Sequence, residues 1–191
     1  MYSNIIFASL FSAIWVIAEV RLMRIDRKQN KGSKEKDHVS RTFNIIAIVI
    51  GLAISPIFIV FPIGKKAFIN SSIVLILGII IAVAGISFRQ YSIHILGKYF
   101  RTTVEIDEAH EVIQNGPYKY IRHPSYSGFI IFFIGYGLIM QNWYGLVIAS
   151  VSSILALLYR IRVEELEMER GLGQEYIDYQ KKTKKLIPWI W

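Results

Sequence analysis

The chain has 191 residues, 53% of them hydrophobic, and its mean hydropathy of +0.41 comes from apolar runs of membrane length rather than amphipathic periods, which excludes an ordinary soluble domain. The absence of cysteine excludes disulfides, thiolate nucleophiles and Cys-ligated metals. The formal net charge of +8 does not indicate a nucleic-acid partner, because the basic residues flank the apolar runs, where they set topology or contact anionic headgroups of a lipid bilayer.

The first apolar run, residues 4–20, is predicted to form a membrane-spanning helix that is retained in the protein. A signal peptide would need basic residues ahead of the run, whereas here the basic cluster follows it from Arg21 onward. Glu19 lies near the predicted membrane edge, and we interpret it as a carboxylate that reaches the interface. Residues 21–41 carry eight Lys or Arg against three acidic residues, which predicts a solvated cytoplasmic loop.

Two further apolar runs predict the second and third spans, at residues 42–62 and 70–88. Pro56 lies inside the second run, where its missing N–H and its ring should kink the helix. Asn70 or Ser71 is the predicted N-cap of the third span, because either side chain can accept from the first backbone N–H groups of a helix.

Residues 89–123 form a long polar connection, and long ordered connections tend to be functional. The apolar runs at 124–140 and 143–161 predict a fourth and a fifth span, joined by a tight polar turn at Gln141-Asn142 into a helical hairpin. Small residues on the two helices are expected to let their backbones approach closely. They are Gly128, Gly135 and Gly137 on one helix and Ala149, Ser153 and Ala156 on the other.

Residues 162–185 are highly charged and predict a helix that leaves the membrane, with an interruption at Gly171 and Gly173. The end of the chain is aromatic and apolar, which is typical of a segment anchored at the membrane interface. The aromatic residues of this region are Tyr176 and Tyr179 on the short helix after the interruption, and Trp189 and Trp191 as interface anchors.

Together these runs predict an all-α, polytopic membrane protein with about five transmembrane helices. Residues 1–88 hold the first three spans and the basic loop 21–41, and residues 89–191 hold the candidate catalytic region. That region comprises the polar connection, the transmembrane hairpin 124–161 and the cytosolic C-terminal helices. The connection and the C-terminal helices are expected to form a cytosolic cofactor pocket.

The distribution of basic residues predicts the topology. With five spans, the segments 21–41, 89–123 and 160–191 share one side of the membrane and carry 8, 5 and 7 Lys or Arg. The opposite side has only Lys65 and Lys66. The positive-inside rule therefore places the N-terminus outside, and the C-terminus and the active site in the cytoplasm.

The stretch HEVIQNGPYKYIRHPSYSG at residues 110–128 is polar and aromatic, although it lies between two apolar runs of membrane length. Pro124 is predicted to begin a membrane helix, because its missing N–H costs nothing at the first helical position. A proline also pushes the residue before it, here His123, toward an extended conformation. The unpaired N–H groups and the positive dipole end of such a helix can hold an anion, such as a cofactor carboxylate.

Glu164 and Glu165 follow the fifth span and, taken alone, read as a solvated helix face. An ion pair between Arg160 and Glu164, four residues apart, is the other structural interpretation. Their surroundings favour a functional role, because aromatic faces attract a sulfonium or an ammonium, and a glutamate accepts from an amine or a ribose hydroxyl. The arrangement suits a zwitterionic, cationic cofactor. The polar stretch contributes Tyr118, Arg122, His123 and Tyr126 to the same cytosolic site.

A metal site is not predicted. His94, His110 and His123 have neither an i,i+4 spacing nor an accompanying CxxC-type pattern, which are common arrangements of metal-binding side chains.

The motifs GPYKYIRHPSYSG, an apolar hairpin, R-x-x-x-E-E and LGQEYIDYQKKTKKLIP, in this order, resemble the isoprenylcysteine carboxyl methyltransferases. These enzymes group with the phospholipid methyltransferases among integral-membrane enzymes that use S-adenosyl-L-methionine. The resemblance covers roughly residues 90–190, and the first two spans match only in being spans. It implies a membrane methyltransferase with S-adenosyl-L-methionine as its cofactor.

The resemblance also implies roles for individual residues. Arg160 is expected to be the catalytic, substrate-side residue that meets the substrate carboxylate. Thr103 stands where the family has a glutamine, a departure that affects one polar cofactor contact. The residues expected to bind the cofactor are His110, Glu111, Val112, Ile113, Tyr118, His123, Pro124, Ser125, Tyr126 and Glu164.

The implied reaction is direct methyl transfer to the carboxylate of an isoprenylcysteine-type molecule. A carboxylate is already ionised at neutral pH, so the enzyme needs positioning, exclusion of water and a countercharge, which Arg160 can supply as a fork. The expected partners are a lipophilic or prenylated substrate and the bilayer, from which a prenyl tail enters between the spans.

Other functions fit parts of the same pattern. Within methyltransferases, the acceptor could instead be a phospholipid amine or another small lipophilic acid or thiol. A nicotinamide-dependent, sterol-reductase-like enzyme has a related C-terminal hairpin, although the short chain and the RHPSY block with its glutamate pair speak against it. In a non-catalytic membrane scaffold, RHPSY would be only a helix start. Binding of S-adenosyl-L-methionine rather than NADPH separates these classes.

Overall fold

The structure, a computed structural model of the full chain, describes residues 2–29, 42, 45–46, 48–54, 57, 72–101, 111–188 and 190. Five continuous α-helices are defined within these residues. They are α1 (Tyr2–Gln29), α2 (Ser72–Leu96), α3 (Pro124–Ile139), α4 (Trp143–Leu172) and α5 (Gln174–Lys182). Shorter helical turns occur at Ile50–Ile54, Gly97–Tyr99 and Gly116–Lys119.

Three of the described helices are long and apolar enough to cross a membrane, namely Asn4–Ile25, Ser72–Tyr99 and Trp143–Leu172. The α3 helix is apolar but has only 16 residues. The predicted all-α membrane fold is confirmed, whereas the number of five spans stays a prediction. The second predicted span, 42–62, falls largely outside the described residues, as do the features predicted at Pro56, Asn70, Ser71, Trp189 and Trp191.

Two predicted boundaries are wrong, because α1 and α2 both continue past the charged residues that were expected to end them. The α1 helix runs to Gln29 instead of ending at residue 20, and α2 runs to Leu96 instead of ending at residue 88. For α2 the reason is the pairing of Arg89 with Glu19: Arg89 Nη2 and Nε donate to Glu19 Oε1 at 2.7 and 3.1 Å. A charge that is neutralised inside the bundle does not need to end a helix.

Glu19 therefore does not reach for the interface as predicted. Its side chain is only 14% exposed and holds a buried guanidinium. Arg89 also lies over the rings of Trp15 and Phe129, with 5.3 and 5.6 Å between its Cζ and the ring centroids. Its Nη1 donates to the Ser125 carbonyl at 3.3 Å. This single residue of α2 thus connects α1 to the first turn of α3.

The glycines of α3 pack mainly against α2 and not, as predicted, against α4. A Cβ on Gly128 would lie 2.7 Å from the Arg89 backbone nitrogen, and one on Gly135 would collide with the backbone of Ala82. Gly137 is the exception, because a Cβ there would meet Leu146 of α4. The small residues on the facing side of α2, Gly78, Ala82 and Gly85, explain the pairing, since two backbones can approach closely only where both helices lack bulk.

An aromatic cluster fills the space between α1 and α3. The Trp15 ring stacks on Phe132, with 4.3 Å between ring centroids, and meets Phe129 and Phe133 edge-on. At the far end of α3, the Tyr136 hydroxyl donates to the Leu52 carbonyl. Such aromatic contacts bury large apolar areas in defined geometries, which fixes α3 against its neighbours.

The α4 helix is one continuous rod rather than a span followed by a separate cytosolic helix. Asn142 caps its start, because the side-chain Oδ1 accepts from the Tyr144 and Gly145 backbone nitrogens at 2.9 and 3.2 Å. Gly171 lies within the helix, so the interruption predicted there is wrong. The break occurs at Gly173, whose φ of +56° suits glycine and ends the helix.

After α5 the chain returns to the polar connection. A parallel bridge joins Ile121 to Lys184, and the Arg122 nitrogen donates to the Lys184 carbonyl at 2.8 Å. The His123 nitrogen donates to the Lys185 carbonyl at 3.0 Å. The residues just before α3 are thereby fixed from outside by the C-terminal segment, defined here as residues 183–188.

Candidate functional site

A cavity opens where the polar connection, the start of α3, the end of α4 and α5 meet. Its empty space, including the open entrance, measures about 840 Å³. The lining residues are Leu96, Tyr99, Phe100, Arg101, Glu111, Val112, Ile113, Tyr118, Arg122, His123, Ser125, Tyr126, Glu164, Met168, Leu172, Tyr176 and Tyr179.

The α3 helix begins at Pro124, as the sequence predicts. His123 has φ −122° and ψ 55°, and its carbonyl accepts from the Tyr126 and Ser127 backbone nitrogens at 3.0 and 3.1 Å. Its side chain does not cap the helix. Instead, the imidazole lies parallel to the Tyr126 ring at 5.5 Å between centroids, and both rings line the cavity. The His-Pro step thus turns two aromatic side chains toward the same space.

The Tyr126 hydroxyl joins Arg160 to Glu164. Arg160 Nε donates to Tyr126 Oη at 2.8 Å, and Tyr126 Oη donates to Glu164 Oε2 at 2.8 Å. Glu164 and Tyr126 line the cavity, whereas Arg160, only 3% exposed, is not among the lining residues. From the sequence, a direct ion pair between Arg160 and Glu164 was one possible interpretation. In the structure, the Tyr126 hydroxyl lies between the two side chains.

Glu165 faces a different set of partners from Glu164. Its Oε1 accepts from Arg122 Nε at 2.8 Å and lies 3.3 Å from His123 Nε2, and its Oε2 lies 3.1 Å from Lys185 Nζ. Glu165 is not among the lining residues of the cavity. The two neighbouring glutamates therefore occupy different places in the fold, with Glu164 at the cavity and Glu165 behind its wall.

Three tyrosines surround the cavity from the side of α5 and the connection. The Tyr179 hydroxyl donates to the Tyr118 carbonyl at 2.7 Å, and the Tyr118 hydroxyl donates to the Ser92 carbonyl at 3.3 Å. Burial raises the pKa of Tyr118, Tyr176 and Tyr179 well above the ordinary value of a phenol. All three remain protonated near neutral pH and offer neutral aromatic faces to the cavity, while the hydroxyls of Tyr118 and Tyr179 donate within the protein.

Eight of the ten residues expected to bind the cofactor line this cavity. Pro124 does not line it, and His110 lies outside the described residues, as does Thr103. The eight are Glu111, Val112, Ile113, Tyr118, His123, Ser125, Tyr126 and Glu164.

Sequence reasoning missed about half of the cavity wall. Met168 and Leu172 follow Glu164 at intervals of four, so a helical count would have placed them on the same face of α4. Tyr176 and Tyr179 were noted only as members of a short helix. No pattern within the sequence singles out the remaining lining residues, which lie at the end of α2 and just after it: Leu96, Tyr99, Phe100 and Arg101.

Comparison with known proteins gives concordant matches. Residues 76–170 match the family described as isoprenylcysteine carboxyl methyltransferase. The protein-S-isoprenylcysteine O-methyltransferase of Saccharomyces cerevisiae is 33% identical over 117 residues, which cover 60% of this chain and 49% of that protein. A probable protein-S-isoprenylcysteine O-methyltransferase of Oryza sativa subsp. indica is 28% identical over 115 residues, covering 59% and 60%.

A solved structure, that of the eukaryotic intramembrane Ras methyltransferase ICMT, is similar with a TM-score of 0.62 and 27% sequence identity. The similarity covers 81% of this chain and 54% of that one. This chain thus spans about half the length of the relatives that it matches.

Proposed function

Since this chain belongs to the isoprenylcysteine carboxyl methyltransferase family, we propose that it transfers a methyl group from S-adenosyl-L-methionine to the carboxylate of an isoprenylcysteine-type molecule. The observation that carries this proposal is the cavity at the start of α3, in which the RHPSY block meets Glu164. The matched relatives are named as methyltransferases of this type, which supports the proposal, and the cavity is the site proposed for the methyl donor.

The residues of the cavity fit that donor, which when bound supplies a methyl group on a sulfonium. The Glu164 carboxylate can accept from an amine or a ribose hydroxyl, and the rings of His123 and Tyr126 offer aromatic faces to a cationic centre. Ser125 brings the first turn of α3 to the cavity, where the positive end of the helix dipole favours a carboxylate. Val112 and Ile113 offer the apolar surface on which an adenine can lie.

The chain's own contribution is positioning and charge rather than proton transfer. A carboxylate acceptor is ionised at neutral pH, so no general base is required. We assign the countercharge for that carboxylate to Arg160, whose orientation is held by the Tyr126 hydroxyl. Because Arg160 is buried, its attraction for a substrate anion is screened by little water.

Residues 89–191 are proposed as the catalytic region, because every lining residue of the cavity falls between residues 96 and 179. The helices α1 and α2 are connected to this region through two contacts: Glu19 accepts from Arg89, and Arg89 donates to the Ser125 carbonyl. The division at residue 88 is a functional one only, because α2 continues across it without interruption.

The apolar helices and the intramembrane relative make this chain an integral membrane protein. We propose that its N-terminus lies outside and its C-terminus and cavity in the cytoplasm. The excess of basic residues on one side persists when the buried Arg89 and Arg160 are set aside, since most of the remainder lie in 21–41 and at the C-terminus.

Single cysteines introduced at Ser33, Lys66 and Lys182 test this orientation in a chain that has no native cysteine. A membrane-impermeant maleimide applied to the cytoplasmic side is expected to label the variants at residues 33 and 182 and to spare the variant at residue 66. Labelling of Lys66→Cys from the cytoplasm would contradict the orientation, and detergent-solubilised samples control for reactivity of each thiol.

The proposed reaction is tested with purified protein, labelled S-adenosyl-L-methionine and a panel of acceptors. A prenylcysteine is expected to be methylated in preference to phosphatidylethanolamine and to short-chain acids, because it combines an ionised carboxylate with an apolar tail. Base-labile label on the prenylcysteine identifies a methyl ester. Methylation of phosphatidylethanolamine alone would indicate an amine acceptor, and binding of NADPH without S-adenosyl-L-methionine would indicate a reductase.

A further inference from the structure

Glu165 is an acidic residue near the cavity that the proposed reaction does not use. It directly follows Glu164 on α4, but successive helical residues point about 100° apart, so the two carboxylates diverge. Glu164 lines the cavity, whereas Glu165 lies behind the wall that carries Arg122 and His123. The pair therefore cannot serve as two equivalent cofactor ligands.

The Glu165 carboxylate is the common partner of groups from two separate chain segments. Arg122 and His123 come from the connection before α3, and Lys185 comes from the C-terminal segment. The Glu165 side chain is only 9% exposed and that of Arg122 only 8%. Charges with so little access to water are strongly destabilised when one partner is removed, so these groups depend on one another.

Arg122 extends the same network into the end of α5. Its Nη1 donates to the Thr183 carbonyl at 2.7 Å and to the Gln180 carbonyl at 3.2 Å, while its Nε is held by Glu165. The backbone of Arg122 is meanwhile paired with Lys184. Glu165 thus holds a guanidinium that bridges α4, the connection and the C-terminal segment, which together enclose one side of the cavity.

The orientation of the His123 ring depends on the same carboxylate. His123 Nε2 lies 3.3 Å from Glu165 Oε1, and its Nδ1 lies 3.6 Å from Glu164 Oε2. The ring is therefore set between the two glutamates and parallel to Tyr126. Without Glu165 the imidazole loses its contact behind the wall and can turn toward Glu164. His123 would then take up the Glu164 carboxylate oxygen that is proposed to accept from the cofactor.

We infer that Glu165 is a positioning residue, which holds Arg122, His123 and Lys185 so that the cofactor-binding wall is formed before the cofactor arrives. This inference rests on the proposed function, because it concerns binding at that cavity. A wall that is already formed raises affinity, since the apparent Kd equals the intrinsic Kd divided by the fraction of molecules in the binding-competent form. Glu165 touches no reacting group and is not a catalytic residue.

The test compares Glu165→Ala, Glu165→Gln and the control Glu167→Ala in the full-length protein in detergent. Glu167 lies on the same helix, and its ion pair with Arg170 is exposed to solvent. Calorimetry with S-adenosyl-L-methionine is expected to show a Kd raised by about tenfold or more for Glu165→Ala, as a tenfold smaller competent fraction requires. Glu165→Gln keeps an oxygen acceptor without the charge and should restore part of the affinity. Glu167→Ala should bind as the wild type does.

Two further readouts separate positioning from simple loss of structure. The KM for the cofactor should rise in Glu165→Ala, whereas the KM for the prenylcysteine should change less than twofold. Thermal unfolding reports the folded fraction of each sample. A folded Glu165→Ala or Glu165→Gln protein that binds the cofactor as tightly as the wild type overturns the inference, and so does a lowered melting temperature with unchanged affinity of the folded fraction. If the wild type itself does not bind, the proposed function fails first.

Discussion

Replacing Glu164 with alanine is expected to raise the Kd for S-adenosyl-L-methionine by about 10- to 100-fold, because a hydrogen bond to a charged group contributes about 1.5–3 kcal/mol. Glu164 is the carboxylate that faces the cavity, and Tyr126 donates to it at 2.8 Å. Turnover at a limiting concentration of the donor should fall with the affinity. Calorimetry measures the Kd, and a methyl-transfer assay at several donor concentrations measures the turnover.

Two companion variants make this result specific to the carboxylate. Glu164→Gln keeps the size of the side chain and one oxygen acceptor, so it should lose less affinity than Glu164→Ala. Glu167→Ala removes an exposed glutamate from the same helix and should leave the affinity unchanged. Wild-type affinity in a folded Glu164→Ala protein would mean that Glu164 does not contact the cofactor and that the cavity has another purpose.

The parts of this site that could be predicted are those that local chemistry decides. Pro124 begins α3 because proline has no N–H to lose there, and this is true in any fold. The break after α4 was placed within two residues for a similar reason, since Gly173 adopts a positive φ that other residues avoid. In both cases the information lies within one turn of the chain.

The parts that could not be predicted depend on partners distant in the sequence. Arg89 and Glu19 lie 70 positions apart, and their pairing neutralises the charge at which α2 was expected to end. The same holds for the glycines of α3, which were assigned to the hairpin partner that is closest in sequence. Their partners Gly85 and Ala82 belong to α2, and a pattern of small residues does not say which other helix will meet it.

The different roles proposed for Glu164 and Glu165 also depend on partners that are distant in the sequence. A helical count shows that they point in different directions, but it does not say which of them faces a cavity. That is decided by Lys185 and by the backbone pairing of Arg122 with Lys184, which brings the C-terminal segment beside the connection. Such a short parallel pairing has no signal in the hydrophobic pattern, because only one bridge is formed.

Arg160→Ala is expected to reduce turnover by about 100-fold or more while the Kd for S-adenosyl-L-methionine changes little, because a buried charge aimed at an anion acts far more strongly than an exposed one. Arg160 is absent from the cavity lining and reaches the site through the Tyr126 hydroxyl. Its removal should therefore weaken the positioning of the methyl acceptor rather than the binding of the cofactor. Arg160→Lys should restore activity only in part, since an ammonium keeps the charge but not the planar fork.

The same contact offers a competing explanation, in which Arg160 merely orients Tyr126 for Glu164. Tyr126→Phe distinguishes the two, because it removes the hydroxyl that joins Arg160 to Glu164 and keeps the ring beside His123. If Arg160 acts on the acceptor, Tyr126→Phe should weaken cofactor binding more than Arg160→Ala does, and the acceptor KM or the single-turnover rate should respond chiefly to Arg160. Equal losses of cofactor affinity in Arg160→Ala and Tyr126→Phe, with no further loss in the double variant, would show that the two residues act together. Both would then affect the cofactor through the Tyr126 hydroxyl. Arg160 would then be a positioning residue for the cofactor, and the countercharge for the substrate carboxylate would have to come from elsewhere.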